Sequence, residues 1–131
     1  MGERARTSHA AMGLPIGKMV VCENGFERGV DDFSEVHCVK RALSLARERG
    51  ALVIGMVARY HPQKDHKAFL EALSIPADTG QDFVAVLAGT GLTKENKPLC
   101  DQLERFGLGE KVVLLGELKQ SSSLYSRLDV H

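Results

Sequence analysis

Apolar and polar positions change period repeatedly along the chain, and each change marks the boundary of an element. Apolar runs at residues 51–58, 83–88 and 111–115 predict strands. Between them, apolar residues recur at helical spacing. Val36, Val39, Leu43 and Ala46 share one face of a helix predicted over residues 34–49, with Ser34 placed to cap it and Gly50 to end it. His66, Phe69, Leu70 and Leu73 predict a helix from residue 65 to about 74, and Leu99, Leu103 and Phe106 one over 94–106. The weaker signals are a helix over 3–13, a short strand over 18–22, a turn at 23–29 around Asn24-Gly25 and a loop at 75–82 containing Pro76 and Gly80. Gly89-Thr90-Gly91 predicts a turn, residues 121–126 a helical turn, and 127–131 the start of another strand. Strands alternating with helices through short connections call for an α/β fold: a parallel sheet, flanking helices and right-handed crossovers.

Composition narrows this picture. At 131 residues and 44% hydrophobic, the chain can bury one core in the ordinary way. Seventeen Lys plus Arg balance 17 Asp plus Glu, so net charge points neither to nucleic acid nor to an anionic membrane. No apolar run approaches the length of a transmembrane helix, and Met1-Gly2-Glu3-Arg4-Ala5-Arg6 lacks the apolar core of a secretory signal, so the expected location is the cytoplasm. Cys22, Cys38 and Cys100 are widely spaced and read as reduced packing residues. His9, His37, His61, His66 and His131 show no metal-ligand spacing; His66 reads as part of a helix face and His61 as an exposed loop residue.

The most informative stretch is the strand, loop and helix from Val53 to Ala72, whose loop carries Arg59 and Lys64. Loops at the carboxyl ends of strands are where open α/β sheets bind ligands, and a ligand facing these two cations is anionic. Arginine offers a planar fork for two phosphate oxygens, and lysine a compact point charge. Taken alone, the pair reads first as solvated loop charges. Gly89-Thr90-Gly91 likewise reads first as a turn needing positive φ, because the fuller G-x-G-x-x-G fingerprint is absent and Lys94 takes its third glycine position.

The surrounding residues carry a resemblance. Gly55, Arg59, Gln63, Lys64 and Phe69-Leu70-x-Ala72 resemble the first strand, loop and helix of the carboxy-terminal domain of the GT-B-fold retaining glycosyltransferases of family 4, the group 1 enzymes. Upstream, residues 9–15, Lys18-Met19-Val20-Val21 and Asn24-Gly25-Phe26-Glu27 resemble the segment by which those enzymes enter that domain. Residues 84–91, Val112-Val113-Leu114-Leu115-Gly116 and Leu124-Tyr125-Ser126-x-x-Asp129-Val130 follow in the family's order. Glu23 departs from the proline that usually precedes Asn-Gly, and Glu27 lengthens the usual aspartate.

The resemblance implies a Rossmann-like domain, part of a GT-B donor-binding domain, with residues 1–50 as inter-domain entry segment and first helix and 51–131 as the first half of the Rossmann-like unit. It implies a nucleotide-diphosphate sugar as substrate, no cofactor and no obligatory metal, and a glycan or lipid-linked acceptor bound through another domain. Arg59 and Lys64 take the places of the family's catalytic and donor-binding cations, and Gly89 and Gly91 lie near the nucleotide. The family's paired glutamates, which hold the donor's sugar and ribose, fall beyond His131; the expectation is a fragment that transfers no sugar alone and self-associates through an uncovered edge. A GT-B-fold sugar-nucleotide epimerase and a non-catalytic α/β binding module are the alternatives. The Arg59-to-Lys64 pattern fits the transferase better than the epimerase.

Overall fold

The computed structural model describes residues 2–18, 20, 37–118 and 121–131. The element order is α1 (Gly2–Ala11), α2 (His37–Glu48), β1 (Leu52–Val57), α3 (His66–Asp78), β2 (Phe83–Ala88), α4 (Lys97–Arg105), β3 (Val112–Gly116) and α5 (Ser122–Tyr125), with 3-10 turns at Ile16–Lys18 and Pro62–Lys64. β1 pairs in parallel with β2, and β2 with β3. The predicted α/β fold is therefore present as a parallel three-stranded sheet with flanking helices.

All six residues of β2 are buried, because this strand lies between two neighbours and is covered on both faces. Alternate side chains go to opposite sides. Val84, Val86 and Ala88 join Val39, Leu43 and Ala46 of α2, together with Val53 and Leu124, in one cluster. Phe83, Ala85 and Leu87 join Leu70 and Leu73 of α3 with Leu99 and Leu103 of α4 in the other. A fully buried leucine or phenylalanine such as Leu87 or Phe83 contributes roughly 1.5–3 kcal/mol over an exposed one.

Boundaries differ from expectation where capping and proline decide them. Helix α3 continues through Pro76 to Asp78 instead of ending near residue 74. Proline's fixed φ is helical, and only the last turn loses a bond. That turn is closed by Thr79, Gly80 and Gln81 donating to the carbonyls of Ile75, Ala77 and Pro76. Helix α4 begins at Lys97, not 94, because Asn96 is its cap: the Asn96 side chain accepts from the Leu99 amide at 3.3 Å, and Pro98 sits in the first turn where no donor is needed. Lys18, expected to open a strand, instead ends a 3-10 turn. The Asn24-Gly25 turn, the Ser34 cap, Val36 and Cys22 lie outside the described residues.

After α5 the chain crosses to the far side of β1. Val130 forms a parallel bridge with Ile54, the Gly55 amide donates to the Val130 carbonyl at 2.9 Å, and Leu128 packs on Gly55, where a Cβ would overlap its side chain. The strand expected over 127–131 is thus a single bridge. Its position matters more than its length: reading across, the sheet runs β3, β2, β1 and then Val130, so the strand order reverses beside β1. Among the described residues, no helix is long and apolar enough to cross a membrane.

Candidate functional site

A reversal of strand order opens a crevice at the carboxyl ends of the strands, and β1 delivers its chain to that point. Pairing runs one residue past the strand, the Ala58 amide donating to the Ala88 carbonyl at 2.9 Å, before the chain turns out through Arg59. The Tyr60 amide donates to the Thr90 carbonyl at 2.8 Å, the Gly89 amide to the Gly116 carbonyl at 2.6 Å, and the Gly116 amide to the Leu92 carbonyl at 2.9 Å. The loops that follow β1, β2 and β3 therefore share one hydrogen-bonded seam. Gly89 stands at its tightest point, with φ 146 and its Cα against the Ala58 carbonyl and Arg59 amide, so that a Cβ there has no room. Gly91, at φ 80, completes the positive-φ turn read from the sequence.

Arg59 and Lys64 are both exposed at this rim, and neither pairs with a carboxylate among the described residues. Lys64 is held by a short structure of its own. His61 caps the 3-10 turn, its Nδ1 accepting from the Gln63 amide at 3.3 Å and its carbonyl from the Lys64 amide at 2.9 Å. With its ring so engaged, His61 is half-buried rather than exposed. Asp65 then reverses the chain into α3 in the left-handed conformation, φ 47 and ψ 52, while its carboxylate accepts from the Ala68 amide at 3.2 Å.

His66 lies underneath, 3% exposed, its ring 5.3 Å from that of Tyr60. Neither ring nitrogen has a hydrogen-bond partner of good geometry, and the Gln102 Oε1 is likewise unpartnered. Burial lowers the His66 pKa from its ordinary value, with the Ala58 carbonyl and Asp65 acting the other way, so the neutral ring is favoured. Tyr60, His61, Asp65, His66 and Gln102 line a cavity of about 280 Å³ beneath the loop. Two larger hollows lie elsewhere. One, about 570 Å³, runs along β3 beside Leu103 and Cys100; the other, about 580 Å³, sits at the amino ends of the strands between Arg49, Asp82 and Lys111. Size does not select the site: the first is mainly the open flank of an edge strand, and the second contains the Arg49–Asp82 ion pair at 2.7 Å.

Of the residues singled out in the sequence, Arg59, Gly89 and Gly91 are brought together by the seam, and Lys64 stands on the same loop as Arg59. Sequence reasoning missed Gly116, Asp65 and Asn96. Asn96 reaches back from the cap of α4, its Nδ2 donating to the Gly91 carbonyl at 2.7 Å. The sequence Asn96-Lys97-Pro98 carries the signal for that cap. Among the described residues no group of three or more His, Cys, Asp or Glu side chains is placed to hold a metal ion.

A family model described as glycosyl transferases group 1 matches residues 44–131, which hold the whole sheet and the rim just described. This chain belongs to the group 1 glycosyl transferases. No curated protein matches it. Among solved structures, Anabaena Alr3699/HepE in complex with UDP and glucose shares 24% identity at TM-score 0.69, and the same protein in complex with UDP-glucose shares 25% at 0.68. Each alignment covers 98% of this chain and 35% of the other, so the chain spans about a third of the length of these structures. The likeness in fold to Alr3699/HepE extends across nearly all of the chain, and the family match across residues 44–131.

Proposed function

We propose that the chain is part of the donor-binding domain of a retaining glycosyltransferase, residues 1–50 forming the inter-domain entry segment and first helix and 51–131 the first half of its Rossmann-like unit, and that Arg59 and Lys64 bind the diphosphate of a nucleotide sugar. One observation carries this reading: two cations with no carboxylate partner among the described residues stand on the loop after β1, where the strand order reverses. The UDP and UDP-glucose bound to the structurally similar Alr3699/HepE support a uridine diphosphate sugar as the donor.

The chemistry follows from charge. Transfer breaks the bond between the anomeric carbon and the β-phosphate oxygen, whose electron pair stays with the departing UDP. Negative charge therefore grows on that phosphate as the transition state is reached. An arginine fork and a lysine fixed beside it stabilise the developing charge without reorganising. Gly89 lets the β2 loop close onto Arg59, and Gly91 leaves the turn free of a side chain near the nucleotide. The sugar goes with net retention to a glycan or lipid-linked acceptor held by another domain.

Calorimetric titration of the chain with UDP tests the binding half of this reading. UDP binds more tightly than UMP, and Arg59→Ala and Lys64→Ala each reduce that preference. Equal affinity for UDP and UMP in the unaltered chain overturns it.

A further inference from the structure

Asp65 is the only non-glycine with positive φ among the described residues, and it directly follows Lys64. Side chains with a Cβ avoid this conformation unless the surroundings hold it, and such residues gather at functional sites. Asp65 is held from both sides. Its amide donates to the Pro62 carbonyl at 3.1 Å, closing the turn that contains Lys64, and its carboxylate takes the Ala68 amide at the start of α3. The other end of the same turn is fixed by the Lys64 amide on the His61 carbonyl. Lys64 thus rides on a three-residue turn clamped to a helix that is itself anchored by Leu70 and Leu73 in the core.

We infer that Asp65 is a positioning residue for phosphate recognition: by holding the reversal after Lys64 it fixes the ammonium-bearing residue at the rim, and so sets the preference of the site for a diphosphate over a monophosphate. This rests on the role given to Lys64 above. A lysine stem on an unclamped turn loses more freedom when its ammonium engages a phosphate, so a loosened turn weakens the β-phosphate contact first. The rest of the nucleotide is untouched. A residue that served only to cap α3 would instead alter stability and leave the ratio of UDP to UMP affinity unchanged.

The test is that ratio, measured by calorimetry on the chain and its variants, with thermal unfolding followed alongside. Asp65→Ala, which disfavours the left-handed backbone and removes the acceptor, lowers the UDP-over-UMP preference by roughly fivefold or more. Asp65→Asn, which tolerates the left-handed region and keeps an acceptor oxygen, restores it. In a Lys64→Ala background, Asp65→Ala produces no additional loss of preference. If Asp65→Ala does not fold, Asp65→Gly adopts the same backbone without the carboxylate and shows a smaller loss in the same direction. A preference unchanged by these substitutions in a folded chain, or lowered equally with and without Lys64, overturns the inference. A preference indifferent to Lys64→Ala alone removes the lysine contact itself, and the inference falls with it.

Discussion

The Tyr60 amide donates to the Thr90 carbonyl at 2.8 Å, tying the loop after β1 to the loop after β2. The residue before Tyr60 is the exposed Arg59, and the residue before Thr90 is Gly89, pressed against the Ala58–Arg59 backbone. The arginine's backbone is therefore fixed by bonds that do not involve its side chain. Its guanidinium remains available for a ligand.

Gly89→Ala distinguishes a tight seam from a simple turn. A Cβ at residue 89 adds overlap with the Ala58 carbonyl to the penalty of positive φ, together above about 3 kcal/mol. Gly80→Ala, at φ 75 in open space, meets the φ penalty alone, about 1–2 kcal/mol. Urea unfolding of the two variants measures the difference, and UDP binding is lost only in the first.

Asp129 joins the chain end to β1: its Oδ2 accepts from the Val53 amide at 2.8 Å and its own amide donates to the Val53 carbonyl at 2.7 Å. Val53 is fully buried, so Asp129→Ala strands a donor and costs about 1–3 kcal/mol. Asp129→Asn keeps an acceptor and costs less. Equal unfolding midpoints for the Ala variant and the unaltered chain would sink this account of the bridge beside β1.

His66 gives the fold an acid-sensitive component. Its pKa is lowered in the folded state by burial, so the unfolded chain takes up the proton first as pH falls. The contribution of the neutral ring is complete above the ordinary histidine value and is lost as pH falls from that value through the lowered one. His66→Leu also removes two unpartnered nitrogens from the interior. The variant should show a flatter dependence of stability on pH just below about 6.5 than the unaltered chain. Parallel curves over that window would exonerate His66.

In the enzyme carrying this domain, Arg59→Ala and Lys64→Ala should slow the chemical step more than they weaken donor binding, each costing about 2–4 kcal/mol of barrier. Single-turnover rates with a UDP-sugar against donor affinity measure the split. Turnover near that of the unaltered enzyme in both variants would remove these cations from catalysis.

The sheet was legible because its apolar runs admit few other structures: Phe83–Ala88 is buried along its whole length, as a continuous apolar stretch between turn signals predicts. The position of Arg59 and Lys64 on an exposed loop was legible from their place after such a run. What local pattern could not supply was tertiary. Pro76 reads as a breaker until the carbonyls of the last turn find donors in Thr79, Gly80 and Gln81. Gly116 reads as a strand end until it meets both Gly89 and Leu92, partners more than twenty residues away. The left-handed Asp65 was hidden because an aspartate before a helix announces a cap and says nothing of φ.

The most direct test of the central claim is a map of backbone amide chemical shifts of the chain during titration with UDP. The largest changes should fall on residues 59–64 and 89–91, with Gly116 beside them, and Arg59→Ala should diminish them. Changes centred instead on the amino-end hollow at Arg49, Asp82 and Lys111, or on the flank of β3 at Leu103 and Leu114, would contradict a nucleotide site at the carboxyl rim.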